Sequence, residues 1–238
     1  MRVLEVGAGL GSLTVALAES GASVLAVEFD RVLLPALEEV VGDRPDVRIV
    51  HGDAMKMDWR TLFGRGGERT RRRWRMVSNL PYNIATPLVL SMLEERLPID
   101  VYFVTVQKEV GERLAADPGT DAYGAVSVRV SYFAEPKVLR RVPASVFWPR
   151  PNVESVLVRL TPRPKPPVDV DPDVLFRLVE EGFAQRRKTM ANALRRLGFE
   201  PQDAAGILRG CGLDPRVRAE ELSLADFARL TEEVGARA

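Results

Sequence analysis

Four short apolar runs each stop at a residue that does not belong in a hydrophobic core. Val3-Leu4-Glu5-Val6 stops at Gly7, Ser23-Val24-Leu25-Ala26-Val27 at Glu28, Val47-Arg48-Ile49-Val50-His51 at Gly52-Asp53, and Arg75-Met76-Val77-Ser78 at Asn79. The stretch from Ser12 to Ala18 reads as the start of a helix between the first two runs. Short buried strands alternating with helices predict a parallel sheet wound with helices on both faces, over residues 1 to about 160. In such a sheet the carboxyl ends of the strands share one rim, and ligands bind there. Gly7, Glu28, Asp53 and Asn79 are therefore expected side by side.

Each position on that rim has a chemistry. The turn Gly7-Ala8-Gly9-Leu10-Gly11 lets the backbone bend tightly and lets a ligand approach it closely. A dinucleotide fingerprint needs glycine at its first, third and sixth positions, but here the sixth is Ser12 and the third glycine arrives one residue early. That spacing argues against a nicotinamide or flavin dinucleotide. Glu28 is placed to accept hydrogen bonds from two ribose hydroxyls, and Asp53, followed by Ala54, to take an adenine amino group. Asn79-Leu80-Pro81-Tyr82 suits a planar base: an amide oxygen and a backbone carbonyl accept both protons of an exocyclic amine, and the ring stacks on its face. Each residue also has a plainer reading: a ligand-free glycine turn, a solvated Glu28, or a proline-stiffened loop.

Beyond Asn79, a fifth strand is expected from Ile99 to Val106, ending at Gln107. Val126–Phe133, Lys137–Arg141 and Ser155–Leu160 read as later strands, with too little chain between them for helical crossovers, so antiparallel pairing is expected at that edge. The proline-rich stretch Thr161–Pro167 cannot be helix or central strand and marks a boundary. Helices are expected over Pro172–Leu197, Pro201–Cys211 and Ser223–Val234, with Ser223 as N-cap and Asp226 three residues on. This divides the chain into residues 1–163 and 168–238.

The 238 residues carry a net charge of +1, from 34 basic and 33 acidic side chains, so bulk charge gives no support for nucleic-acid binding. Local clusters do. Arg65, Arg69, Arg71, Arg72, Arg73 and Arg75 crowd one stretch, and Arg140, Arg141 and Arg150 another. Arg186, Arg187, Lys188, Arg195 and Arg196 fall within one expected helix, with Lys188, Asn192 and Arg195 spaced as a phosphate-contacting stripe would be. The bland reading of each cluster is a solvated face. No apolar run approaches the roughly 20 residues of a membrane span. One cysteine, Cys211, and no charged-then-apolar leader fit a reducing cytoplasm. With one histidine, His51, a zinc site is not expected.

The series Glu5-Val-Gly-Ala-Gly-Leu-Gly11, Glu28, Gly52-Asp53-Ala54 and Asn79-Leu-Pro-Tyr82 resembles that of adenine-N6 methyltransferases dependent on S-adenosylmethionine. Phe147-Trp-Pro-Arg-Pro-Asn-Val-Glu-Ser155, Gly182–Met190 and Arg218–Ser223 extend the likeness to the ribosomal RNA adenine dimethyltransferases, most closely the branch that modifies two adjacent adenosines near the 3′ end of small-subunit rRNA. The resemblance covers nearly the whole chain. It implies a class I, Rossmann-like methyltransferase domain (1–163) and a small all-helical RNA-binding domain (168–238). It implies S-adenosylmethionine held by Gly7, Ala8, Gly9, Gly11, Glu28, Asp53, Ala54 and Asn79. Catalysis falls to Asn79, Leu80, Pro81 and Tyr82, with Phe147 on the other face of the base unless that ring only packs. Arg150, Arg186, Arg187, Lys188 and Arg195 would hold rRNA or a pre-30S particle, the protein acting as a cytoplasmic monomer without metal or membrane. Relatives carry a segment upstream of the first strand that closes over the cofactor; this chain opens two residues before that strand, which implies a weaker hold. Rival readings are a DNA adenine methyltransferase, a large-subunit rRNA methyltransferase conferring antibiotic resistance, and a catalytically weak assembly factor that binds pre-rRNA. A small-molecule methyltransferase fits the basic clusters and the second domain poorly.

Overall fold

The apolar alternation of the first 110 residues resolves into parallel strands in a computed structural model, which describes residues 1–63, 74–147, 150–185 and 187–236. The arginines at 65, 69 and 71–73, together with Trp148, Pro149 and Arg186, lie outside the described residues. The first four strands are β1 (Arg2–Val6), β2 (Ser23–Glu28), β3 (Val47–His51) and β4 (Trp74–Asn79). They alternate with α1 (Ser12–Glu19), α2 (Leu34–Val41) and the single turn α3 (Trp59–Leu62). Next come α4 (Ala85–Glu94), β5 (Ile99–Gln107), α5 (Lys108–Leu114), α6 (Ala125–Phe133), β6 (Ala134–Val142) and β7 (Ser155–Pro162). The strands form one sheet in the order β3-β2-β1-β4-β5-β7-β6. β1 pairs in parallel with both β2 and β4, and β7 runs antiparallel to β6, to which a short connection joins it, and also to β5.

Side chains alternate across this sheet. Val3, Val24 and Ala26 pack with Ala18 of α1 and Leu37 and Val41 of α2 on one face. Leu4, Met76 and Tyr102 occupy paired positions facing the other way, and the Tyr102 hydroxyl donates to the Met92 carbonyl of α4 at 3.4 Å. The strand order reverses between β1 and β4: chain order runs outward to β2 and β3 on one side, and to β4 and β5 on the other. That is the switch point at which α/β sheets bind their ligands, and it puts the glycine turn after β1 beside Asn79 at the end of β4.

Two of the sequence expectations fail here. Val126–Phe133 is not a strand: Ala125–Phe133 is α6. Its alternating valines carry high β propensity, but Val128 and Tyr132 are buried in a helical core with Leu175, Phe176 and Val179, and packing overrides propensity. The expected helix Pro172–Leu197 is two helices, α7 (Pro172–Phe183) and α8 (Met190–Arg196). The break is held by long-range pairing: Thr189 bridges Arg218, and the Met190 N–H donates to the Val217 carbonyl at 2.8 Å.

The division of the chain also differs from a single cut near residue 165. One compact unit comprises Met1–Gly111 and Ala134–Pro162, and the other Glu112–Phe133 and Arg163–Ala238. α6 belongs with the second because its buried face is part of that core. The second unit is completed by α9 (Pro201–Gly210) and α10 (Leu224–Gly235). Ser223 and Asp226 form the expected box at the start of α10: the Ser223 hydroxyl accepts the Asp226 N–H at 3.2 Å, and the Asp226 carboxylate accepts the Ser223 N–H at 2.8 Å.

Candidate active site

The glycine turn is fastened to the end of β2. The Gly7 and Ala8 N–H groups both donate to the Val27 carbonyl, at 2.8 and 3.2 Å, and Gly11 N–H closes on the Ala8 carbonyl at 2.9 Å. Gly7, Gly9 and Gly11 all have positive φ, which a side chain would strain. Around Gly9 the space is open, with nothing within 4 Å of where a Cβ would stand. Gly7 is the opposite case: a Cβ there would lie 3.0 Å from Pro81 Cδ and 3.6 Å from the Asn79 carbonyl oxygen. The glycine at this position thus lets the β4 loop close against the β1 turn.

Glu28 is 6 % exposed, and its two carboxylate oxygens accept the N–H groups of Gly9 and Asp30, both at 2.7 Å. Each oxygen keeps a further lone pair for a ligand. Asp53 folds locally, one oxygen accepting the Met55 N–H at 2.9 Å and the other 3.5 Å from Lys56 Nζ. Ala54 is buried beside it. Leu10, Phe29 and Met55, which follow β1, β2 and β3 respectively, are exposed apolar side chains on this rim. An open glycine turn, a tethered carboxylate with lone pairs to spare, and apolar surface together fit a cofactor with a ribose and a purine.

Sequence reading missed a second carboxyl. Glu5 is 1 % exposed and accepts a hydrogen bond from the Thr14 hydroxyl at 2.7 Å, tying β1 to α1 across the turn. Burial pushes its carboxyl up to about 7, against the lowering effect of the Thr14 bond and with a further raising contribution from the Glu28 charge. The Val3-Leu4-Glu5-Val6 run implied this burial, but not the partner.

Asn79 is the last residue of β4, and it is exposed. Its neighbours fix it in place. Ser78 is buried and accepts the Val6 N–H at 2.9 Å, and Leu80, also buried, donates its N–H to the Thr105 carbonyl at 3.1 Å. The Pro81 carbonyl accepts from both Ile84 and Ala85, at 3.2 and 3.1 Å, and so is committed to starting α4. Tyr82 is half-buried, and its hydroxyl lies 3.1 Å from that of Ser155 on β7. Phe147 is half-buried in the connection from β6 to β7, and Arg150 in the same connection is exposed.

In the second unit, Lys188 and Arg195 meet with Gln185, Asn192 and Phe199 around a cavity of about 650 Å³. Lys188 lies ahead of α8 rather than on a shared helix with Arg195, yet the two still converge. Arg187, Lys188 and Arg195 are exposed, whereas Arg196 is taken up by Glu181 at 2.8 Å.

A parallel sheet with a reversal at β1/β4, a glycine turn bound to a strand-end glutamate, and an amide on the next strand end define a class I methyltransferase dependent on S-adenosylmethionine. The sequence profile of the ribosomal RNA adenine dimethylases matches residues 1–235. The chain belongs to that family, and is an enzyme that uses S-adenosylmethionine to methylate adenine in ribosomal RNA. It is 46 % identical over 233 residues to the ribosomal RNA small subunit methyltransferase A of Moorella thermoacetica, covering 96 % of this chain and 81 % of that protein. It is 46 % identical over 241 residues to the protein of the same name from Pelotomaculum thermopropionicum, covering 97 % and 80 %. In fold it is similar to a dimethyladenosine transferase from Plasmodium falciparum (TM-score 0.78, 22 % identity, 99 % of this chain and 90 % of that one). It is also similar to the 23S rRNA methyltransferase ErmE (TM-score 0.70, 22 % identity, 99 % and 91 %).

Proposed function

We propose that this chain dimethylates the N6 amines of two adjacent adenosines in the 3′-terminal hairpin of small-subunit rRNA, acting as a monomer on the RNA or on a pre-30S particle. The observation that carries the reading is the contact between the two rim loops, with Gly7 against Pro81 and Asn79 at the lip of β4. The small-subunit assignment draws its support from the names of the relatives at 46 % identity.

The N6 amine of adenine is a poor nucleophile because its lone pair is delocalised into the ring. The Asn79 side-chain oxygen and a backbone carbonyl accept its two hydrogens, which favours a pyramidal nitrogen with a localised lone pair. The Pro81 carbonyl already carries two N–H groups, so the backbone acceptor in this reading is Leu80. Tyr82 stacks on one face of the base and Phe147 on the other. The bound S-adenosylmethionine supplies an electrophilic methyl group on a sulfonium. Gly7, Ala8, Gly9 and Gly11 provide its backbone cradle, Glu28 receives its ribose hydroxyls, and Asp53 with Ala54 borders its adenine. The enzyme's own contribution is positioning and acceptors complementary to the positive charge that develops on the amine. No strong base is required, because a methylated ammonium passes its proton to water. Arg150, Arg187, Lys188 and Arg195 neutralise phosphates, with Arg186 assigned to the same role from sequence. The target adenosine leaves its stack to enter the site.

Mass spectrometry of unmodified small subunits after incubation with the protein and S-adenosylmethionine tests this. The expected product is N6,N6-dimethyladenosine at two neighbouring positions near the 3′ end. Methylation of large-subunit RNA instead would move the enzyme to the resistance branch, and binding without methyl transfer would make it an assembly factor.

A further inference from the structure

Ser155 is a residue that the proposed mechanism leaves without a task. It is 0 % exposed, in a position where a hydroxyl needs a partner, and its partner is the Tyr82 hydroxyl at 3.1 Å. The two residues are 73 apart in the chain and sit on opposite sides of β5: Asn79 pairs with Thr105 on one side of that strand, and Ser155 pairs with Gln107 on the other. Ser155 is also well anchored. It opens β7 between Gln107 of β5 and Val142 of β6. The residue before it accepts the Lys108 N–H at 2.9 Å and pairs with Lys108 Nζ at 3.7 Å. Tyr82, by contrast, lies in the turn between β4 and α4, outside any strand or helix, and is half-buried.

We infer that Ser155 is a positioning residue for base capture: its hydroxyl holds the far end of the Tyr82 ring, so that the ring stands in one orientation for the incoming adenine. This rests on the reading that Tyr82 stacks on the base.

The test is a double-mutant cycle on the full chain, with unmodified small subunits as substrate and Ser155→Ala, Tyr82→Phe and the pair as variants. Each single change removes one partner of the same bond. Each is expected to lower kcat about 3- to 10-fold. The KM for S-adenosylmethionine stays near that of the parent, the thermal midpoint falls by only a few degrees, most in Tyr82→Phe, which leaves the buried Ser155 hydroxyl without its partner, and the kcat of the double variant falls no further than that of either single one. Full turnover in Ser155→Ala, or losses that multiply in the double variant, overturns the inference. Tyr82→Phe probes the bond from its half-exposed end, so if Ser155→Ala folds poorly the comparison of Tyr82→Phe with the parent still decides: full turnover there overturns the inference. Tyr82→Ala separates the two layers. Loss there with no loss in Ser155→Ala defeats the positioning role alone, while full turnover in Tyr82→Ala defeats the stacking reading and the inference with it.

Discussion

Replacing Gly7 by alanine tests how the cofactor turn and the base-binding loop depend on each other. Gly7 has φ of 77°, and a side chain in that region costs about 1–2 kcal/mol. The new methyl would also stand 3.0 and 3.2 Å from Pro81 Cδ and Cγ, inside the ~3.5–4.0 Å of a relaxed carbon contact. Pro81 is exposed, but its backbone is anchored on both sides, because Leu80 is buried and bonded to Thr105 while the Pro81 carbonyl holds the first turn of α4. Overpacking of this kind adds about 1–3 kcal/mol, for a total of about 2–5 kcal/mol. Gly9→Ala is the control: its φ of 57° carries the same strain, but its methyl meets nothing within 4 Å, so about 1–2 kcal/mol is expected. The functional effects should divide the same way. Shifting the loop by about half an ångström misplaces the amine acceptors, and Gly7→Ala should lose roughly 10-fold in single-turnover rate at saturating S-adenosylmethionine. Gly9→Ala should instead weaken cofactor affinity and keep most of its saturated rate. Urea unfolding and single-turnover methyl transfer read both. Equal destabilisation of the two variants, or a full rate in Gly7→Ala, would refute the coupling.

Glu5→Gln addresses the buried acid. The Glu5 carboxyl is pushed up to about 7 in the folded state from an ordinary value of 4.5, so the native protein binds the extra proton and stability falls as pH rises from about 4.5 to about 7. The amide should remove about 3 kcal/mol of that decline, seen as a flatter profile of urea midpoint against pH; an unchanged slope would contradict the assignment. Ser223→Ala breaks one half of the box at the start of α10 and should cost ~1 kcal/mol by the same unfolding assay. Lys188→Ala and Arg195→Ala should each weaken RNA binding and lower the salt dependence of log K by about 1, whereas unchanged binding in both would remove the cavity from the RNA interface.

The rim was legible because it follows from period and topology. Strand-length apolar runs ending at Gly7, Glu28, Asp53 and Asn79 need only a parallel sheet to bring their ends together, and the reversal at β1/β4 does the rest. Ser223 and Asp226 were readable for a local reason, since a capping box lies within four residues. What escaped depends on distant partners. Nothing in Ala125–Phe133 distinguishes its valines from those of a strand until Leu175 and Phe176 pack on them. Gly182 stands in the last turn of α7, but a lone glycine does not announce the break between α7 and α8, which is set by Thr189 pairing with Arg218. The bond from Tyr82 to Ser155 crosses a strand that neither residue belongs to, and Asn79-Leu-Pro-Tyr82 and Phe147–Ser155 gave no sign of touching. The Pro81 carbonyl, one of the two backbone acceptors the sequence offered, is occupied by the Ile84 and Ala85 N–H groups, which Asn79-Leu-Pro-Tyr82 alone did not show.

In the proposed mechanism the Asn79 amide oxygen holds the reacting amine and does little for the cofactor. Asn79→Ala, measured by single-turnover methyl transfer on unmodified small subunits alongside calorimetric titration of S-adenosylmethionine, tests it directly. The expected result is a rate lower by about 10²- to 10³-fold with the cofactor dissociation constant within a few-fold of the parent. A variant that turns over at the parent rate, or one whose loss is wholly accounted for by weaker cofactor binding, would contradict it.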